Sequence, residues 1–285
     1  MSGRQAEKLF GVTRRILSKE ARVRGFLPTT GRPRRYPLRD DAFSGPLTPM
    51  MAYLLGLLAA DGSVYFNRRC TIPRIALAVK WADRCLVEML CAFLETPSAR
   101  ISSGWRRDQF GNEFQVAKVE VCSAQLADDL ARYGVIAGKT HRLCFPTMLP
   151  PALMSHWLRG FWDGDGSMSY QTDGVHQLYI SVCGTEDVVG SVEAFLRQQC
   201  QLPAERAVHL NGRSETNFVV AWRARDDVRA IAAYLYRDGG ATYCLPRKLD
   251  AVVAALGLRD SAALEGPEAG GRPPRAPAAD QEPAA

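Results

Sequence analysis

The chain has 285 residues, 47% of them hydrophobic and 23% charged, enough to bury one large or two smaller globular cores. Its net charge of +6 is uneven: residues 1–45 carry +7, residues 261–285 carry −2, and the stretch between is close to neutral at +1. A basic arm suits a polyanionic partner, whereas the lack of a signal-peptide core or a span-length apolar run excludes a secreted or membrane-spanning class and makes a cytoplasmic, nucleoid-associated location the expectation.

In chain order, four regions are predicted: a basic arm over 1–45, a first repeat over 46–145, a second over 146–258, and a tail over 259–285. Within the arm, QAEKLFGVTRRILSKEARVR at 5–24 resembles the second half of a helix-turn-helix. Thr13 would cap a helix begun by Arg14 and Arg15, both expected to contact DNA. Glu7 and Glu20 fall where small and apolar residues belong, so a merely basic amphipathic helix stays open as the alternative. GRPRR at 31–35 reads as a linker, with minor-groove insertion the other reading.

LLGLLAADG at 54–62 returns as LRGFWDGDG at 158–166, displaced by 104 positions. Each copy is followed by two strand-like runs, SVYFNRRC and PRIALAVK in the first, SMSYQTD and HQLYISVC in the second. A helix comes next, with Leu86, Met89, Leu90, Phe93 and Leu94 forming its apolar stripe, echoed by Val188, Val192, Phe195 and Leu196. Two more strands follow (ARISSGWRR and EFQVAKVEVC; RAVHLNG and NFVVAWRAR), and AQLADDLARYG or DDVRAIAAYLY closes each half as a helix. The period is too long for a solenoid and predicts two similar halves that pair. The tail, rich in Pro, Ala and Gly, holds too little apolar surface to order itself. Of the eight cysteines none forms CxxC and none pairs with the four histidines at zinc-finger spacing, so they read as reduced core residues.

The nonapeptides have a physical logic. Gly56 and Ala60, like Gly160 and Gly164, lie four apart on one helix face, where small residues let two backbones approach. Packing the two motif helices side by side would bring Asp61 and Asp165 together at their C-terminal ends, before Gly62 and Gly166, which suit left-handed caps. Like charge and helix dipole both oppose that arrangement, and divalent cations would relieve it. Carboxylate, carbonyl and water ligands favour magnesium, and two metals flanking a phosphate promote phosphodiester cleavage. An ordinary Asp-Gly helix stop explains one copy but poorly explains two in matching context.

These motifs resemble the LAGLIDADG homing endonucleases, in the double-motif, single-chain form. The flanks RRYPLRDDAF, CGTEDVVGSVEAFL and LYRDGGATYCLPRKL agree in order, so the resemblance covers about residues 35–255. It implies an α+β fold of two pseudo-symmetric αββαββα repeats, joined through the motif helices, with antiparallel sheets forming a DNA saddle. It also implies a monomeric, magnesium-dependent endonuclease that breaks both strands of a long double-stranded site and leaves short 3′ overhangs. On that pattern Asp61 and Asp165 bind the catalytic metals with help from the carbonyls of Ala60 and Gly164. Two departures stand out. The sixth motif position is Ala59 in one copy and Asp163 in the other, and Arg159 replaces a small residue, at what is expected to be the edge of the helix interface.

The resemblance also places catalytic lysines. Lys80 ends a strand with Arg74, Ala76 and Ala78 on its own face, and its equivalent in the second half is Gly184; Lys139 and Lys248 close the two repeats. The expected DNA-contacting residues are Arg68, Arg69, Arg74, Arg107, Lys118, Arg206, Arg213 and Arg223, with Gln171, Gln177 and Asn217 as base readers. Two other functions compete: a regulator that binds DNA without cutting, and an intron maturase that binds RNA. The presence of both acids speaks against the first. A Met1 start and a Pro-Ala-Ala end lead us to expect something other than an intein.

Overall fold

The computed structural model describes residues 34–66, 72–108, 110–171, 177–212, 215–239 and 242–259, without the side chains of 169–178. The helix-turn-helix candidate with Arg14 and Arg15, the tail, and Arg68, Arg69 and Arg213 lie outside the described residues, as do the side chains of Gln171 and Gln177.

The compact body begins at Leu38. The first repeat runs α1 (Pro49–Ala60), β1 (Gly62–Tyr65), β2 (Arg74–Lys80), α2 (Cys85–Phe93), β3 (Ser102–Arg107), β4 (Glu113–Cys122) and α3 (Ala124–Ala131). The second runs α4 (Pro151–Asp165), β5 (Gly166–Gln171), β6 (Gln177–Gly184), α5 (Glu186–Gln199), β7 (His209–Leu210), β8 (Phe218–Trp222) and α6 (Arg225–Tyr236), followed by α7 (Pro246–Leu256). The αββαββα order therefore occurs twice. Each repeat forms its own four-stranded antiparallel sheet, ordered β1-β2-β4-β3 and β5-β6-β8-β7.

Local chemistry fixes the helix starts. Thr48, Ser123 and Thr185 each accept a hydrogen bond from the backbone N–H three residues on, at Met51 (3.2 Å), Leu126 (3.1 Å) and Val188 (3.3 Å). On α2, Leu86 and Leu90 are buried, as is Leu94 at its C-cap, with Met89 and Phe93 packed beside them; on α5, Val188, Val192 and Leu196 repeat the pattern. Helix α1 is buried from Met51 to Ala59, without a polar face, because it lies inside a core shared by both repeats.

Four expectations need correction. Residues 38–45 belong to the first repeat and not to the arm: Ala42 and Phe43 are buried, Arg39 N–H bonds the Leu94 carbonyl, and Ser123 Oγ donates to Asp40. Gly62 and Gly166 are not left-handed caps, since neither has positive φ. A side chain there would strike the preceding turn, with a Cβ 2.4 Å from the Leu58 carbonyl oxygen or 2.3 Å from Trp162 Cδ1. The counterpart of Lys80 is Thr185, not Gly184. Gly62 pairs with Leu77 while Gly166 pairs with Val182, so the second hairpin is one residue longer and every later position shifts. Finally, α7 closes the second repeat as a full helix, begun by Pro246 and ended by left-handed Gly257, where only a lysine motif was expected. Of the cysteines, Cys91 and Cys244 are buried as expected, but Cys144 is exposed.

Candidate functional site

The motif helices α1 and α4 pack backbone against backbone. A Cβ on Gly56 would stand 2.0 Å from the Trp157 carbonyl oxygen, and one on Gly160 would stand 1.9 Å from that of Tyr53. The two contacts are related by the same displacement of 104 that relates the motifs, so they express the pseudo-two-fold of the pair. Farther along, a Cβ on Gly164 would lie 2.3 Å from Ala60 Cβ and 3.2 Å from Asp61 Oδ2. Asp61 is the residue that caps α1 and Asp165 is the last residue of α4. The expected convergence of both acids at the ends of paired helices is thus present.

Their environment is unfavourable to charge. Burial is the main cause that lifts Asp165 to about 6, the negative charge of Asp61 adds to it, and Lys139 and Lys248 only partly offset them. Asp61 is raised as well. Although it keeps part of its surface open to solvent, desolvation by the surrounding protein is the largest cause, opposed by Lys248 and Lys139. Among the described residues no three His, Cys, Asp or Glu side chains cluster as a metal site. A cation here would take the two carboxylates and complete its shell with carbonyl, water or phosphate oxygens. The donor set fits such an ion: two hard oxygen ligands, each disfavoured as an anion without one.

Lys139 and Lys248 sit one at each helix end. Lys139 Nζ donates to the carbonyls of Ala59 (2.5 Å) and Ala60 (2.7 Å); Lys248 Nζ donates to those of Trp162 (2.6 Å), Asp163 (2.9 Å) and Gly166 (2.6 Å). Both amines are buried, and burial pulls both below the usual lysine range, Lys248 to about 8. Lys139 occupies two carbonyls that the last turn of α1 leaves unbonded, Lys248 bonds the carbonyls of Asp163 and Gly166 and shares that of Trp162 with the Gly166 N–H, and each amine places positive charge at the negative end of a helix dipole. The Ala60 carbonyl, expected as a metal ligand, already accepts a charged hydrogen bond. Replacing either lysine by methionine strands two of those carbonyls, so Lys139→Met and Lys248→Met are each expected to cost about 2 kcal/mol of stability. Urea denaturation measures both, and unchanged midpoints would show that the lysines do not hold the helix ends.

The motif departures lie deep inside. Asp163 Oδ2 accepts from Tyr53 OH on the opposite motif helix (2.7 Å) and from Leu245 N–H (2.7 Å). Burial raises its carboxyl to about 6 despite these bonds. Arg159 is not at an edge. It is 1% exposed, donates to the carbonyls of Leu235 (2.6 Å) and Tyr243 (3.2 Å), contacts His156 Nδ1 (2.9 Å), and stacks on the rings of Tyr53 and Tyr243. Three further ties cross between repeats: Arg247 grips Asp83 through Nε (2.7 Å) and Nη2 (2.8 Å), Asp187 Oδ2 accepts from Phe145 N–H (3.1 Å), and Thr185 Oγ1 donates to the Leu143 carbonyl (2.7 Å).

The expected DNA-contacting residues divide by sheet face. In the first sheet Arg74, Ala76, Ala78 and Lys80 share the open face with Tyr65, Lys118 and Glu120, while Ile75, Leu77, Val79, Val119 and Val121 face the core. Lys80 is exposed there, its Nζ 5.6 Å from the Phe114 ring centre. Arg107 falls on the face of Ala117 and Val119, and bonds Glu113 at 2.7 Å. Arg206 is tied to Asp227 (2.7 Å), while its backbone N–H reaches Glu193 (2.9 Å), which gives it a loop-fastening role. Arg223 lies over the Tyr179 ring at 5.1 Å, on the open face of the second sheet; Asn217 lies on that face too, one residue from β8. Sequence reasoning noted Asp163 only as a motif departure, and missed Glu120 and the place of Cys183, whose Sγ donates to the Asp165 carbonyl (3.1 Å). The alternation of EFQVAKVEVC, which puts Glu120 on the face of Lys118, was the available signal for Glu120.

No family model matches the chain, and no curated protein matches it. Among solved structures, the chain is similar to the homing endonuclease I-WcaI bound to its DNA recognition sequence, at 13% identity over 77% of this chain and 92% of that one, with a TM-score of 0.49. It is also similar to the I-SmaMI LAGLIDADG homing endonuclease bound to cleaved DNA (16% identity, 79% and 94% covered, TM-score 0.44). A third similar structure is the LAGLIDADG meganuclease I-AabMI bound to uncleaved DNA (10%, 74% and 91%, TM-score 0.43). Among the described residues no helix is long and apolar enough to cross a membrane.

Proposed function

We propose that the chain is a site-specific DNA endonuclease of the LAGLIDADG homing type, acting as a single-chain pseudo-dimer on double-stranded DNA. The observation that carries this reading is the meeting of Asp61 and Asp165, one from each repeat, at the ends of two helices packed backbone to backbone. Two linked half-sites with a shared acidic centre suit a duplex, whose two strands are related by a near two-fold axis. Asp61 and Asp165 would hold divalent metal, magnesium by its preference for oxygen ligands. Such an ion supplies Lewis-acid stabilisation of the phosphate oxygens. Lys139 and Lys248 are positioning residues that fix the helix ends from which the two acids project. The open faces, with Arg74, Lys118, Lys80 and Arg223, would lie on the DNA.

The test is incubation with a randomised plasmid library, with and without magnesium. Linear product at a reproducible sequence, dependent on the metal, supports the endonuclease. Sequence-selective binding without cutting in any divalent metal would assign the regulator instead, and selective retention of structured RNA over duplex DNA would assign the maturase.

A further inference from the structure

On the open face of the first sheet, one carboxylate organises the groups around it. Glu120 on β4 accepts from Lys118 Nζ (2.8 Å), from Arg74 Nη1 and from Tyr65 OH, and so joins three strands. The side chains of Arg74, Lys118 and Glu120 are only 31%, 32% and 25% exposed. Lys118 also lies over the Tyr65 ring at 5.8 Å. Burial alone would raise the Glu120 carboxyl, but the bonds from Lys118, Tyr65 and Arg74 outweigh it and hold the group at about 2. It is ionised wherever the protein works.

A face that only neutralised phosphates would gain nothing from this anion, which repels the backbone and cancels one of two cations. What it gives is order. Free arginine and lysine side chains lose rotamer freedom when they bind, and a fixed carboxylate removes that loss beforehand and sets their direction. We infer that Glu120 is a positioning residue for sequence readout, holding Arg74 and Lys118 in an orientation that reads base edges, guanine above all, in one half-site. The inference rests on the DNA-binding reading above and goes beyond it by assigning specificity to one cluster.

Among the described residues the second repeat carries no matching cluster. Leu77 and Val119 correspond by register to Val182 and Val220, so the places of Glu120, Lys118 and Arg74 are taken by Ala221, Val219 and Tyr179. The two half-sites must therefore differ in sequence where these groups lie, which gives the experiment an internal control.

The experiment selects bound DNA from a randomised duplex library with the full chain, and compares wild type with Glu120→Gln, Arg74→Ala and Lys118→Ala. Glutamine keeps the shape of the side chain and removes its charge. Glu120→Gln is expected to lower discrimination by about tenfold at one or two adjacent base pairs in one half-site. These should be base pairs that Arg74→Ala or Lys118→Ala also loses, while the other half-site is unchanged. Affinity for non-specific DNA should rise about fivefold at low salt, with a salt dependence steeper by about one phosphate contact. An unchanged preference would overturn the inference. So would uniform weakening across both half-sites, or a loss at base pairs that Arg74→Ala and Lys118→Ala both retain. If the wild-type chain selects no duplex sequence at all, the DNA-binding reading fails and this inference fails with it, an outcome distinct from the other three.

Discussion

Asp61→Asn and Asp165→Asn are each expected to lower the rate of double-strand cleavage at least about a thousandfold, some 4 kcal/mol of barrier, while site-selective DNA binding persists. Asparagine keeps the shape and one acceptor oxygen but cannot hold a hard cation as a carboxylate does. One substitution should be as damaging as two, because the acids meet at one centre. The same variants should be more stable than wild type in chelator. The Asp165 carboxyl is raised to about 6 from its ordinary 3.8, chiefly by burial and next by Asp61. Between those values this group holds its proton in the folded chain and loses it in the unfolded one, so its contribution to stability falls as pH rises through that window and stays lower above it. Asp165→Asn should flatten this slope and raise the metal-free Tm at pH 7 by about a few degrees. A divalent ion that binds only the folded wild type should offset the deficit. Calorimetry from pH 4 to 8 on both proteins checks this: an Asp165→Asn slope equal to that of the wild type would contradict the crowded acidic pair.

Gly56→Ala and Gly160→Ala are expected to be the most destabilising single-methyl changes in the chain. The added carbon would lie 2.0 Å from the Trp157 oxygen or 1.9 Å from the Tyr53 oxygen. Both obstacles are backbone atoms of the opposite helix, so no side chain can rotate away. Relief requires the helices to separate, which would break the Tyr53–Asp163 bond and move Asp61 away from Asp165. Each variant should lose about 3 kcal/mol or more, near 10 °C in Tm, and lose cleavage even where it folds. Gly190→Ala on α5 is the control. It has nothing within 4 Å, and its helix should gain up to about 1 kcal/mol from alanine. Thermal denaturation of the three variants separates close packing from a general cost of adding a methyl group.

Much of this was legible in the sequence. The repeated nonapeptide gave the pairing, the i, i+4 small residues gave the interface, and the position of Asp before Gly gave the acidic centre. All three are patterns of residue type and spacing, which a single sequence displays without its partners in space. The features that were missed depend on distant partners. Arg159 finds its carbonyls 76 and 84 residues away, at Leu235 and Tyr243, so its motif context showed only an oversized residue. The buried roles of Lys139 and Lys248 arise in the same way, across 80 and 86 residues to Ala59 and Trp162. Thr185 was displaced by Gly184 because a one-residue difference in hairpin length is invisible until strands are paired. Gly62 and Gly166 were placed correctly for the wrong reason: contact with the preceding turn excludes a side chain there, and backbone handedness does not.

On the reading proposed above, two carboxylates, one from each repeat, serve one cut in each strand of a duplex. Strand-resolved mapping of the ends made on a selected target in magnesium tests it most directly. The expected result is one break per strand at a fixed offset of a few base pairs with 3′ overhangs, and neither break with Asp61→Asn or Asp165→Asn. Breaks confined to one strand, or breaks in both strands that survive either substitution, would contradict it.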